Sequence, residues 1–307
     1  HINNDIYQRI VVIAMNEMAD QGWGGPPVDF DVIVMGSGGR NESFLFPDQD
    51  NGFVLEEYPD TWHATVDSWF IELAERMTRA LDEIGIRSCK GYVMATNPLW
   101  RKHIVQWYQQ VNGWFSKPNS NTLRLADIFF DFSPVYGDRR FAARLRSYVT
   151  GRARKYPGFL REMERVQEGH GVALGLFHRL IPDNTRGPNK GKLNLKYHGL
   201  LPLVECIRLL SLREGIMATS TLTRIDRLHE NGVLESNEQD YLSGAFHHIT
   251  HLILRQQVND FLEHKQVGPY VPPDALSERE KDMLVAALVA IDELNNRVRT
   301  EFTGDIF

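Results

Sequence analysis

The stretch "DVIVMGSGGRNESFLFPDQDN", residues 31–51, decides how this chain is read. Its opening "DVIVM" is a short β-branched run closed by glycine, the pattern of a buried strand. "NGFVLEE", residues 51–57, reads as a second strand, so the motif at 36–51 is the connection between two strands. Two known phosphate loops fail here. A dinucleotide fingerprint starting at Gly36 needs glycine at 41, where Asn41 stands, and the Gly-Lys-Ser/Thr of a Walker A loop is absent. What remains is a Gly-rich turn opening a short helix, then Asp48-Gln49-Asp50 at a strand entrance. Gly36, Gly38 and Gly39 let backbone N–H groups approach an anion, and Ser37 adds a hydroxyl donor. Asp48 and Asp50, two apart in extended chain, project to one side, where hard carboxylates suit Mg²⁺ or Mn²⁺ that also keeps phosphate ligands. An isolated "PDQDNG" is explained better as a plain turn. Joined to the glycine turn upstream, it points to phosphoryl or nucleotidyl transfer.

Outward from the motif, residues 3–21 and 61–85 carry helical periodicity, "KGYVMAT" (90–96) reads as a strand and 99–115 as a helix. "RLADIFFDFSPVYGD", residues 124–138, alternates and is rich in aromatics, which reads as a strand. Beyond 139 strand signals nearly vanish, and helices are expected over 139–168, 200–214, 220–230, 236–264 and 277–302. The fold expected is α+β: a domain at 1–140 with a mixed sheet flanked by helices, then an all-helical domain at 141–307. Charge follows the same division. Residues 1–138 hold 10 Lys and Arg against 19 Asp and Glu, whereas 139–307 hold 24 against 21, an acidic part and a mildly basic one. Neither is basic enough to argue for duplex nucleic acid.

The 307 residues with 42% hydrophobic content are enough for a real core. Cys89 and Cys206 have neither disulfide nor zinc spacing, which favours a reducing, cytoplasmic setting. No apolar run reaches the roughly 18 residues of a membrane span, and no signal-peptide pattern opens the chain. A first residue of His1 suggests a fragment with something upstream.

The string G-S-G-G-R-x-E followed by D-Q-D-N resembles the nucleotidyltransferase domain of the DNA polymerase β superfamily. More narrowly it is similar to bacterial signal-transduction nucleotidyltransferases related to the uridylyltransferase of the nitrogen regulatory protein PII. "KGYVMATNPLWR", "IFFDFSPVYGD", "GKLNLKYHGLLPLVECIRLLSL" and "TSTLTRIDRL" extend the likeness along the chain. The resemblance implies that Gly36 and Ser37 hold the triphosphate of an NTP, and that Asp48 and Asp50 bind two divalent ions. It implies a third carboxylate from a later strand. Spacing allows Asp127 or Asp131, and the "FFD" context matches the group at Asp131. Where the group commonly has Arg after "DF", this chain has Ser133. The helical domain is expected to bring cations to the triphosphate or acceptor, Lys196 foremost, and such groups often carry cyclic-nucleotide-binding or CBS modules upstream.

Other residues were open to two readings. Arg40 suits phosphate contact or a structural clamp with Glu42. Lys190 and Lys192 suit an anion or a solvated loop, as do Arg179 and Arg208 more weakly. His247 and His251 stand at i, i+4 but lack a third ligand. Trp100, Trp107, Trp114 and Phe115 fit a core better than a base-stacking platform. The expected activity is transfer of a nucleoside monophosphate from an NTP to an unidentified acceptor hydroxyl, protein or small molecule, in bacterial signalling. The rival is a regulatory module that binds nucleotide without turnover.

Overall fold

The computed structural model of the chain describes residues 2–167 and 171–304. The chain divides into two compact units, His1–Arg152 and Ala153–Phe307. The first unit begins with α1 (Ile2–Asp20), β1 (Phe30–Val34), α2 (Gly36–Gly39), β2 (Asp48–Gln49) and β3 (Asn51–Leu55). It continues with α3 (His63–Glu83), β4 (Arg87–Ser88), β5 (Arg101–His103), α4 (Ile104–Ser116), α5 (Ser120–Phe129) and β6 (Ser133–Tyr136). A sixth helix, α6 (Arg140–Lys155), crosses the division. The expected boundary at 140/141 falls at the start of α6, whereas the division by contacts falls near its end. Arg146 on α6 explains why the helix groups with the first unit, since its guanidinium is bonded to Phe130 O and Phe132 O.

Four strands make a mixed sheet in the order β5-β3-β1-β6. β1 is antiparallel to both β3 and β6, and β5 runs parallel to β3. All five residues of β1 and of β3 are buried, as expected of central strands covered on both faces. Phe30, Val32, Val34, Phe53 and Leu55 share one cluster with Tyr7, Val11 and Met18 of α1 and Phe70, Leu73 and Met77 of α3. Trp100, Trp107, Trp114 and Phe129 form an aromatic group of their own, joined to the sheet by the Trp107 indole N–H on Phe53 O at 2.9 Å. These tryptophans are core, buried in full.

Three expectations fail in this unit, each for a local reason. Residues 90–96 are not a strand. Tyr92 is left-handed (φ 55°), and the segment's backbone groups are met one by one: Asn51 N donates to Val93 O, Ala95 N to Asn51 Oδ1, and Arg101 to Ala95 O. Residues 99–115 are not one helix, because Arg101–His103 pair with β3 before His103 caps α4. Most consequentially, 124–138 is a helix end followed by a short strand. Asn119 accepts from the Asn121 and Thr122 amides and Thr122 Oγ1 accepts from Asn119 N, a capping box that starts α5, whose buried Leu123, Ala126 and Phe129 have helical spacing. Asp127 and Asp131 therefore do not share a strand face: Asp127 lies on α5 and Asp131 in the short link between α5 and β6.

The second unit is helical but for a two-residue strand pair. It comprises α7 (Pro157–Gln167), β7 (Leu193–Asn194), α8 (Leu201–Glu214), α9 (Thr221–Glu230), α10 (Ser236–Leu262), β8 (Tyr270–Val271) and α11 (Glu278–Thr303). β7 and β8 pair antiparallel. Pro157 separates α6 from α7, where one helix over 139–168 was expected; residues 168–170 lie outside the described residues. Almost all of α8 is buried, as befits a central helix. Both cysteines are free thiols, and no described helix is long and apolar enough to cross a membrane.

Candidate active site

Residues 36–39 fold as one turn of helix directly off β1. Gly39 N bonds back to Met35 O at 3.1 Å, so the amides of Gly36, Ser37 and Gly38 are those of the first helical turn, which have no partner within it. A positive φ at one end and a close approach at the other fix this turn. Gly36 has φ 55°, and a Cβ there would sit 3.4 Å from Asp50 Oδ2. At Gly39 a Cβ would lie 1.7 Å from Asp131 O and 2.7 Å from Val34 O, so only glycine fits. The first and last residues of one short turn thus lie against Asp50 and Asp131, eighty-one positions apart in sequence.

Asp48 and Asp50 get their direction from the residue between them. Gln49 is wholly buried and its amide donates to Thr78 O (3.0 Å) and Ile86 O (2.8 Å), while β2 pairs in parallel with β4. With Gln49 anchored inward, alternation sends its two neighbours the other way. Asp48 is exposed and Asp50 half-buried. Asp50 is further fixed by its carbonyl, which accepts from Met35 N at 2.9 Å. Its charge, after burial, is a cause of the raised pKa of the Cys89 thiol, and it adds to the burial that pushes the Tyr7 hydroxyl up.

Asp131 is fully buried. Its Oδ2 accepts from Arg40 Nη1 at 2.7 Å, and Arg40 Nε reaches Glu42 Oε2, also at 2.7 Å. The Arg40–Glu42 clamp is therefore present, with Asp131 as its third member, and Arg40 is engaged with carboxylates. Arg146 holds the backbone on both sides of Asp131 through Phe130 O (2.7 Å) and Phe132 O, with its guanidinium stacked 3.8 Å over the Phe132 ring. Ser133, where the resembling group has Arg, donates its hydroxyl to Gly39 O at 2.5 Å. It fastens the glycine turn to the Asp131 segment.

The donor chemistry fits a hard divalent cation in part. Asp48 and Asp50 offer carboxylate oxygens on one side of the chain, as Mg²⁺ or Mn²⁺ with phosphate and water ligands requires. Asp131 is committed to Arg40, and among the described residues no group of three or more His, Cys, Asp or Glu side chains is close enough to hold a metal ion.

The remaining candidates belong to the second unit. Lys196 is exposed and opens a π-helical turn, Lys196–Leu200. Lys192 lines a cavity of about 370 Å³ with Asp260, Lys265 and Tyr270, and exposed Lys190 stands on the same loop. Arg179 is exposed, whereas Arg208 is buried within α8. His247 and His251 are exposed on α10.

Sequence reasoning missed two residues that build the site, Gln49 and Arg146, and the contact that a third, Gly39, makes. Gln49 was passed over between the aspartates, although a polar residue inside a strand entrance is a signal. Gly39 was read with the phosphate turn, while its tightest constraint is Asp131. Arg146 gave no local signal at all. Asp31 is a further case: wholly buried, it accepts from the Arg139 and Ala142 amides and caps α6, with burial raising its pKa despite those bonds.

A mixed sheet carrying a glycine turn and an Asp-x-Asp pair, followed by a helical unit, is the architecture the resemblance implies. Residues 1–121 match the family described as "Putative nucleotidyltransferase DUF294", and residues 157–302 match "Putative nucleotidyltransferase substrate binding domain". The chain belongs to this two-domain family. Asp131 lies between the two matched stretches. No curated protein matches the chain.

Proposed function

We propose that the chain transfers a nucleoside monophosphate from an NTP to an acceptor hydroxyl, releasing pyrophosphate, in bacterial signalling in the cytoplasm. The observation that carries this reading is what borders the glycine turn: the Asp50 carboxylate at Gly36 and the Asp131 main-chain carbonyl at Gly39. Family membership supports nucleotidyl transfer in general.

Each residue then has a task. The first-turn amides at Gly36, Ser37 and Gly38 receive phosphate oxygens, with the Ser37 hydroxyl as a further donor. Asp48 and Asp50 would hold Mg²⁺ or Mn²⁺, and Asp131 completes the acidic set next to the acceptor hydroxyl. When bound, the divalent ion supplies positive charge against the charge developing on the transferred phosphoryl group. Arg40 contributes a cation to the triphosphate. The acceptor is a protein or a small molecule bearing a hydroxyl.

The test uses the four NTPs labelled at the α-phosphate, with and without Mg²⁺, followed by calorimetric binding and pyrophosphate detection. Nucleotide binding that needs Mg²⁺ and is lost in Asp48→Asn/Asp50→Asn is the expected result. No metal-dependent binding for any NTP overturns the reading, and pyrophosphate release that survives the double change overturns the assigned roles. One observation favours a second reading, a module that binds nucleotide without turnover: buried Asp131 is engaged by Arg40. Metal-dependent binding without pyrophosphate release would select it.

A further inference from the structure

We infer that the second unit pairs with a second copy of this chain, each copy seating an apolar hairpin tip in a groove along α11 of the other. Such pairing stands apart from nucleotidyl transfer and needs none of that site's residues. Residues 173–181 form a tight hairpin: Leu174 bridges Leu180, Gly175 N donates to Arg179 O, and Ile181 N donates to Ala173 O. At its tip are the two most exposed large hydrophobic side chains among the described residues, Leu176 (85%) and Phe177 (94%). Phe177 and His178 are both left-handed (φ 58° and 55°), a conformation costly to any residue but glycine. Two strained backbone positions thus hold an apolar tip out in water.

Beside the tip lies a cavity of about 630 Å³. Val285, Ala286, Val289 and Ala290 line it at helical spacing along one face of α11, and exposed Tyr241 of α10 joins them. Asp282 and Glu293, both exposed, stand at the two ends of that stripe. The tip carries the opposite charge, for Arg179 follows His178 directly. No ion pair among the described residues engages Arg179, Asp282 or Glu293. An apolar groove between two acids calls for an apolar partner with a base beside it, and this chain presents one. Phe177 and His178 also line the cavity, so tip and groove adjoin. A surface that complements itself closes as a two-fold dimer in which every contact is made twice.

The experiment is sedimentation velocity of the full chain over about 1–100 μM, where wild type should form dimers that dissociate on dilution. Leu176→Ser/Phe177→Ser, at positions too exposed to carry the fold, should weaken the dimer at least about a hundredfold, since each change counts twice. Ala286→Arg, which fills the groove from an exposed helical position, should do the same. Arg179→Glu should weaken it about tenfold, and adding Asp282→Lys/Glu293→Lys should recover most of that loss. An equimolar mixture of the tip variant with Ala286→Arg decides the geometry. Neither variant can pair with itself, but together they supply one intact tip and one intact groove, so the mixture should associate more tightly than either alone. A structural defect in either variant would not be mended by mixing. Wild type that stays monomeric throughout, a dimer that the tip and groove variants leave unchanged, or a mixture that associates no better than its components overturns the inference.

Discussion

Gly39→Ala, compared with Gly38→Ala, tests whether the glycine turn is wedged against Asp131 as described. At Gly39 a Cβ would stand 1.7 Å from Asp131 O, 2.8 Å from Asp131 C and 2.7 Å from Val34 O. Ordinary carbon contacts begin near 3.5 Å, so the Asp131 carbonyl would have to retreat by about 1.5 Å or more. Neither obstacle is a flexible side chain. The retreat is opposed by Arg146 on the flanking carbonyls and by the Ser133 hydroxyl on Gly39 O. Overpacking a well-packed site costs typically about 1–3 kcal/mol, and with backbone on both sides the expected loss is at least about 3 kcal/mol. At Gly38 the nearest atom would be Val34 Cβ at 3.6 Å, an ordinary contact, and alanine is the better helix former. Gly38→Ala should therefore stay within about 0.5 kcal/mol of wild type or gain up to about 1 kcal/mol. All six tryptophans lie between Trp23 and Trp114, so tryptophan fluorescence in guanidinium reports the first unit by itself. Insolubility of Gly39→Ala beside a soluble Gly38→Ala counts as the same outcome. Equal unfolding midpoints for the two variants would refute the wedge.

Three other outcomes follow from named contacts. Gln49→Leu removes the bonds to the Thr78 and Ile86 carbonyls and should cost about 1–3 kcal/mol in the same fluorescence assay while weakening Mg²⁺-dependent nucleotide binding; an unchanged midpoint would count against the anchor. Glu280 is held at about 2, below its ordinary 4.5, first by the Arg255 guanidinium and then by the Ser277 amide and hydroxyl. A lowered carboxylate pKa stabilises the fold above the unfolded value, so the advantage of wild type over Glu280→Gln in urea, followed by circular dichroism, should be full above about pH 4.5 and disappear as pH falls through about 2. A difference that persists unchanged at pH 2 would contradict it. Cys206 is buried and its thiol pKa is pushed far up, so in the native chain at pH 8 a thiol reagent should label Cys89 before Cys206, with Cys89 labelling slowed by Mg²⁺ and ATP; prompt labelling of Cys206 would disprove its burial.

The glycine turn, the Asp-x-Asp pair and β1 and β3 were legible because each is set by residues close in sequence. Local chemistry also misled. The aromatics Phe129, Phe130 and Phe132 suggested a strand, yet the Asn119/Thr122 capping box and the spacing of Leu123, Ala126 and Phe129 start and sustain a helix. Asp131 lies against the turn but not on the strand expected for it. Its contact with Gly39 bridges ninety-two positions and leaves no periodic trace in either segment. Arg146 was invisible for the same reason: its role is defined by two carbonyl oxygens, and nothing in "RLRSYVT" encodes them. Of the strands, "RKH" at 101–103 escaped notice because its pairing with β3 owes nothing to alternation.

The site joins a fastened backbone to a buried ion pair. Gly39, Gln49, Arg146 and Ser133 fasten main-chain atoms, so changes there should lower stability and ligand binding together. Arg40 differs, because it compensates a charge. Removing one partner of a buried pair typically costs about 3–5 kcal/mol, since the other charge is left uncompensated. With Arg40→Gln that charge is Asp131. Stability lost by Arg40→Gln should then return in Arg40→Gln/Asp131→Asn, which leaves no buried charge uncompensated, and a double variant no more stable than Arg40→Gln would refute the pairing. Stability lost by Gly39→Ala should not return when Asp131→Asn is added, since removing a charge does not restore the space that the added methyl group takes.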